Sequence, residues 1–174
     1  HGTFSVAEAK RFCRQVADCN IGWLEEPVVA DDKRGMAEVR ASSDVPISTG
    51  ESEFTRFAFR DLAELRACDI FQPDLSICGG ITEAMRIEAI ASAYQLRYAP
   101  HLWGGALTFA AGLHTMVVAS TGFIVEYSLG ANPMLHELAI EDFKVIDGHL
   151  DVPERPGLGV TVNQEFVDTY RVKN

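Results

Sequence analysis

Five ionisable residues recur along the chain at nearly constant intervals: Glu25, Glu51, Asp74, His101 and Glu126, separated in turn by 26, 23, 27 and 25 residues. Each closes a short apolar run of strand-like composition. Carboxylates and an imidazole are the groups that bind cations and exchange protons near neutrality. Gathered in one cavity they would form a reactive site. Scattered, they would be solvated acids, a helix-start carboxylate and a structural histidine.

The elements between them decide which. Strand-like runs over 21–24, 45–49, 69–72, 97–99 and 122–125 alternate with helical periodicity over 6–19, 33–42, 56–67 and 81–95, and with an Ala-rich helix that Gly104-Gly105 opens and that runs to about 120. Ser5 stands where an N-cap would, before an apolar face of Ala9, Phe12, Cys13, Val16 and Ala17. Ala58, Leu62 and Leu65 face inward on the third helix. On the fourth, Ile87, Ile90, Ala91 and Tyr94 do so, with Glu83, Arg86 and Gln95 off that face. Such alternation predicts an α/β fold of parallel β/α units. In a (β/α) barrel the C-terminal strand ends converge on one mouth, which would bring all five ionisable residues together. An open doubly wound sheet places ligands at a switch point and does not need every strand to end in an ionisable residue. A whole barrel takes about 250 residues. The chain is therefore expected to be the C-terminal part of one, residues 1–132, with a tail over 133–174 and three N-terminal strands lying outside it.

Composition narrows the function classes. Twenty-five acidic against fifteen basic residues leave a net charge of −10 and no Lys/Arg run, which argues against nucleic acid. A small anionic substrate stays compatible if a cation bridges the repulsion. The longest apolar stretch, 106–120, is too short for a bilayer and is broken by Thr108, His114 and Thr115, so no membrane role is expected. Cys13, Cys19, Cys68 and Cys78 show neither C-x-x-C nor zinc spacing and read as buried thiols of a reducing, cytoplasmic compartment. His114, His136 and His149 read as structural, and Met85, Met116 and Met134 as core fillers. Gly79-Gly80 and Gly104-Gly105 read as tight turns, since no phosphate-loop pattern accompanies them.

Trp23-Leu24-Glu25-Glu26-Pro27, Ser48-Thr49-Gly50-Glu51, Gln72-Pro73-Asp74 with Gly79-Gly80-Ile81-Thr82-Glu83, Pro100-His101 and Val125-Glu126-Tyr127, in that order and at barrel pitch, closely resemble the enolase superfamily and within it the mandelate racemase subgroup, which includes acid-sugar dehydratases. Pro156-Gly157-Leu158-Gly159 resembles the segment that returns to that family's capping domain. The resemblance implies Mg2+ held by three acidic strand ends, of which Glu25 and Glu51 match the second and third; the first would be an Asp just before His1. Glu26 then reads as a supporting acid. Oxygen ligands with open positions suit Mg2+ and a substrate carboxylate. His101 and Asp74 match the family's dyad, in which the carboxylate sets the imidazole tautomer and raises its basicity for removing a proton α to a carboxylate. Glu126 matches the acid that binds the substrate carboxylate and supports the enediolate, as a protonated or proton-sharing group. His1 falls where some galactonate-type dehydratases carry a second histidine that protonates the departing hydroxide. Trp103 lines the pocket or packs beside it.

The activity implied is Mg2+-dependent abstraction of the α-proton of a small carboxylate, with loss of hydroxide to give a 2-keto-3-deoxy acid, in a homo-oligomer. A racemase or epimerase would share the first step but needs a second base, commonly a Lys on the second strand. Lys10, Lys33, Lys144 and Lys173 stand at no predicted strand end, which argues against the muconate-lactonising subgroup, where a Lys replaces Asp74. A catalytically incomplete structural or binding subunit is the third reading.

Overall fold

A computed structural model describes residues 1–172; Lys173, and with it the end of the expected tail, lies outside the described residues. Helix α1 (Val6–Gln15) opens on a capping box in which the Ser5 hydroxyl accepts the Glu8 N–H and the Glu8 carboxylate accepts the Ser5 N–H. Its helical path ends earlier than periodicity predicts, passing into a 3-10 turn over Ala17–Cys19. Strands β1 (Leu24–Glu25), β2 (Ile47–Thr49), β3 (Ile70–Phe71) and β4 (Arg97–Tyr98) alternate with α2 (Lys33–Ala41), α3 (Thr55–Glu64), α4 (Gly80–Ala93) and α5 (Ala106–Val118). The sheet is wholly parallel in the order β1-β2-β3-β4, with Glu25 opposite Ser48, Thr49 opposite Phe71, and Phe71 opposite Tyr98.

Alternation along these strands sorts their side chains. Ile47 and Phe71 pack outward into the helical layer with Phe59, Leu62 and Ile87, and the Phe59 and Phe71 rings meet edge-on at 5.0 Å. Their neighbours Ser48, Ile70 and Gln72 point to the opposite side. The sheet curls about that inner side, because Trp23, ahead of one edge strand, reaches Phe123 beyond the other at 5.9 Å, while Arg97 lies 3.9 Å over the same Phe123 ring.

The strand predicted over 122–125 is reduced to a single parallel bridge, Tyr98 to Gly122. Proline accounts for the loss. In a parallel ladder alternate residues bond to one neighbour: Tyr98 N–H reaches Thr121 O at 3.0 Å, and the next donor in that direction would be Pro100, which has no N–H.

Helix faces differ from expectation in two places. Helix α3 buries Phe59, Leu62 and Ala63, with Ala58 half-buried, but Leu65 is exposed; α4 buries Ala84, Ile87 and Ala91, but Tyr94 is exposed. Both outliers are C-cap residues followed by a left-handed residue, Arg66 (φ 53°) and Gln95 (φ 58°), so the chain leaves the helical period at these positions. Glu83, expected off the packed face, is buried. Cys13, Cys68 and Cys78 are buried thiols, whereas Cys19 is exposed at the end of the 3-10 turn and Met134 is exposed on α6 (Pro133–His136), so neither fills a core.

A second cluster, Leu102, Phe109, Leu113, Leu135 and Phe143, forms where α5 is covered by the chain after 133. Leu158 joins both clusters, its carbonyl 3.2 Å from His114 Nε2. His136 and His149 likewise contact backbone carbonyls, of Gly130 and Asp147. The last helix, α7 (Gln164–Tyr170), is capped by the Asn163 side chain. No helix is long and apolar enough to cross a membrane among the described residues.

Candidate active site

Every strand end delivers its ionisable residue to one side of the sheet. His1, Glu25, Glu51, His101, Trp103 and Glu126 line one open cavity of about 340 Å³, and Asp74 stands behind His101. Glu51 follows Gly50, whose φ of 136° and whose approach to Phe59 leave no room for a Cβ: one built there would lie 2.7 Å from the ring.

The dyad is formed. His101 Nδ1 lies 2.8 Å from Asp74 Oδ2, and the other carboxylate oxygen accepts the Ser76 N–H at 2.7 Å and its hydroxyl. Burial alone would raise the Asp74 pKa, but hydrogen bonds from His101 and Ser76 outweigh it and hold the carboxyl below its usual range. Asp74 therefore accepts and Nδ1 donates, which leaves Nε2 as the basic atom. That atom is 3.7 Å from Glu51 Oε2. Burial lowers the His101 pKa, yet the Asp74 hydrogen bond and the charges of Glu126 and Glu51 more than compensate and raise it. The backbone backs this up: His101 N–H bonds Pro73 O, and Asp74 and His101 form a parallel bridge.

Glu51 carries the strongest frustration. Burial pushes its pKa up to about 7, the charges of Glu26 and Glu25 and the closeness of the Glu25 carboxyl add to the rise, and the charge of His101 opposes it. His1 Nδ1 lies 2.9 Å from Glu51 Oε1 although 81% of the His1 side chain is exposed. His1, Glu26 and Glu51 offer ligand-type atoms all within 4.8 Å of one another. Glu26 is 3% exposed and accepts the Thr49 hydroxyl at 2.9 Å. Its φ of 37° is strained for an L residue. Bonds from Gly2 N–H to its carbonyl and from its own N–H to Ser48 O hold it there.

Glu126 is oriented by the Leu102 N–H, which donates to its Oε2 at 2.8 Å. Trp103 is 60% exposed and flanks the opening. Three supporting residues went unassigned in the sequence: Gln72, Thr49 and Ser76. An Asp-x-Ser turn spacing signals Ser76; Gln72 and Thr49 give no local signal, because their partners lie 47 and 23 positions away.

A carboxylate pair pressed together in a half-buried cavity, one of them with a raised pKa, is a donor set that a divalent cation would relieve, and its oxygens fit Mg2+. The chain also has known relatives. A D-galactarolactone cycloisomerase of Agrobacterium fabrum is 31% identical over 99% of this chain and 47% of its own. A D-galactonate dehydratase of Xanthomonas campestris pv. campestris is 34% identical over 96% and 45%. Two crystal structures superpose closely. The 3,6-anhydro-D-galactonate cycloisomerase from Zobellia galactanivorans matches with a TM-score of 0.92 at 32% identity, over 98% of this chain and 48% of that one. A mandelate racemase/muconate lactonizing enzyme from Jannaschia sp. CCS1 matches at 0.92 and 32%, over 100% and 44%. The chain thus spans about half the length of the relatives it matches, and its parallel sheet is the C-terminal part of their barrel. The family model described as enolase C-terminal domain-like matches residues 1–166, and with the sheet, the strand-end residues and these relatives in agreement, the chain belongs to that family.

Proposed function

We propose that this chain carries the base and part of the metal site of a Mg2+-dependent sugar-acid dehydratase. The observation that carries the reading is the His101–Asp74 pair at 2.8 Å, with Nε2 turned toward the carboxylate cavity. Glu25 and Glu51 would hold the cation. Glu26 is less available, being buried with one oxygen engaged by Thr49, and His1 is a nitrogen donor that Mg2+ disfavours. Bound there, Mg2+ would neutralise the negative charge that develops on a substrate carboxylate as its α-proton leaves.

The chain's own residues supply the rest. His101 Nε2 takes the α-proton, and Asp74 holds the ring and stabilises the imidazolium. Glu126, aimed by the Leu102 N–H, binds the substrate carboxylate as a proton-sharing partner. His1, on the Glu51 side of the cavity, delivers a proton to the departing hydroxide. Trp103 lines one side of the opening. The substrate is a sugar acid, in keeping with the names of the relatives: D-galactonate dehydratase and D-galactarolactone cycloisomerase. Residues 1–132 form the barrel portion, and the segment from 133 onward buttresses α5.

The test uses the full-length protein carrying this chain. His101→Asn should lower α-proton exchange into deuterated solvent by ~10²–10⁴-fold while Mg2+ affinity is retained, and His1→Asn should suppress keto-acid formation while exchange persists. Wild-type exchange by the His101 variant would overturn the assignment of the base.

A further inference from the structure

Gln72 directly follows β3 on the inner side of the sheet, just before Pro73-Asp74, and its Nε2 donates to Glu25 Oε2 at 2.9 Å, from β3 across β2 to β1. Its backbone is pinned by Gln72 N–H to Thr49 O at 2.9 Å. The side chain is 5% exposed, and its Oε1 has no partner among the described residues. Ser48 Oγ, also pointing inward, is equally unpartnered. A carboxylate only accepts, so the amide must present its NH2 to Glu25 and leave its carbonyl elsewhere. Leaving an acceptor buried without a partner is unfavourable, and an apolar side chain such as leucine would avoid it. What the glutamine supplies in return is the donor to Glu25.

We infer that Gln72 is a positioning residue for metal binding: it fixes the Glu25 carboxylate through Oε2 and so leaves the other oxygen, Oε1, for a cation held together with Glu51. This rests on the reading of Glu25 and Glu51 as cation ligands. The strand end at β3 then aligns both halves of the chemistry, because Gln72 sets Glu25 and, two residues on, Asp74 sets His101. The distance between base and metal site is fixed by one rigid stretch through Pro73 instead of by two independent loops.

Two measurements on the full-length protein carrying this chain test it. Mg2+ titration by calorimetry should show Gln72→Leu binding about 10-fold or more weakly than wild type. In a Glu25→Gln background the same substitution should cause no further loss, since the clamp acts through Glu25. Without any metal, the Gln72 side-chain amide resonance in a 15N spectrum should move in Glu25→Gln. Unchanged Mg2+ affinity in a folded Gln72→Leu variant, or additive losses in the double variant, would overturn the clamp. Should Gln72→Leu not fold, the amide resonance decides: one that does not respond to Glu25→Gln overturns it. If the unsubstituted protein binds no Mg2+, the functional reading fails and the clamp's metal role goes with it, while a shifted amide would still establish the contact itself.

Discussion

At the scale of single residues, the dyad makes a directional claim about protons. The His101 pKa is raised and that of Asp74 lowered by their mutual hydrogen bond, against the opposing effect of burial on each. The stabilisation tied to His101 is therefore fully present below the unfolded imidazole value of ~6.5 and is lost as pH rises through the raised folded value. That tied to Asp74 is present above ~3.9 and is lost as pH falls through its lowered value. Asp74→Asn should lower the His101 pKa followed by NMR titration, because the charged partner is removed while Glu51 and Glu126 remain. The α-proton exchange rate should fall by less than in His101→Asn, since an imidazole is still present. An unmoved His101 titration would show that Asp74 does not tune it.

Among the elements, one helix supplies the cap of its neighbour. Helix α3 has Phe54 at its N-cap and no side-chain cap of its own, and its entry is strained, with Thr55 at φ 59°. The missing acceptor comes from α4. The Glu83 carboxylate takes the Arg56 N–H at 2.9 Å and both its oxygens bind the Arg56 guanidinium, with Arg86 also attached. These bonds, the Arg56 N–H foremost, hold the Glu83 pKa down at about 2. The loop that carries Glu51 is thus anchored to the start of α4 from one side, and by Lys33 to Glu53 at 2.8 Å from the other. Glu83→Gln should lower Tm at pH 7. The difference from wild type should shrink as pH falls from about 4.5 toward 2, because a depressed carboxylate contributes stability only while ionised. A Tm difference independent of pH over that interval would assign the effect to packing alone.

For the whole molecule, the sheet has two open sides. Beyond β4 only one bridge continues it, and Val117, Ile124 and Val145 are exposed about an apolar hollow of about 480 Å³. Although larger than the polar cavity, this hollow is lined by no carboxylate, and its two polar side chains are engaged by backbone carbonyls, His149 at Asp147 O and the Tyr127 hydroxyl at Phe143 O, so the chemistry belongs to the smaller one. Residues 1–174 alone offer only Glu25 and Glu51 as proposed ligands. By calorimetry they should bind Mg2+ at least ~10-fold more weakly than the full-length protein; equal affinity would show that this segment contains the complete site.

The sequence carries the α/β alternation, the parallel order and the placement of Glu25, Glu51, Asp74 and His101 after successive strands, because each follows from local periodicity and from a pitch that every β/α unit repeats; Glu126 keeps that pitch although the run before it forms one bridge and no strand. It also marked Ser5 as a cap, since a capping box is closed within four residues. Tertiary structure decided whatever depends on partners distant in the chain. That includes the loss of the ladder beyond β4 at Pro100, the burial of Glu83 as another helix's cap, the clamp of Gln72 on Glu25 and the nearness of His1 to Glu51. The outward turns of Leu65 and Tyr94 belong with them, because a helical pattern does not show where a left-handed residue will end it. Periodicity reports which side of an element is apolar; only the packed fold brings an acceptor on one strand to a donor two strands away.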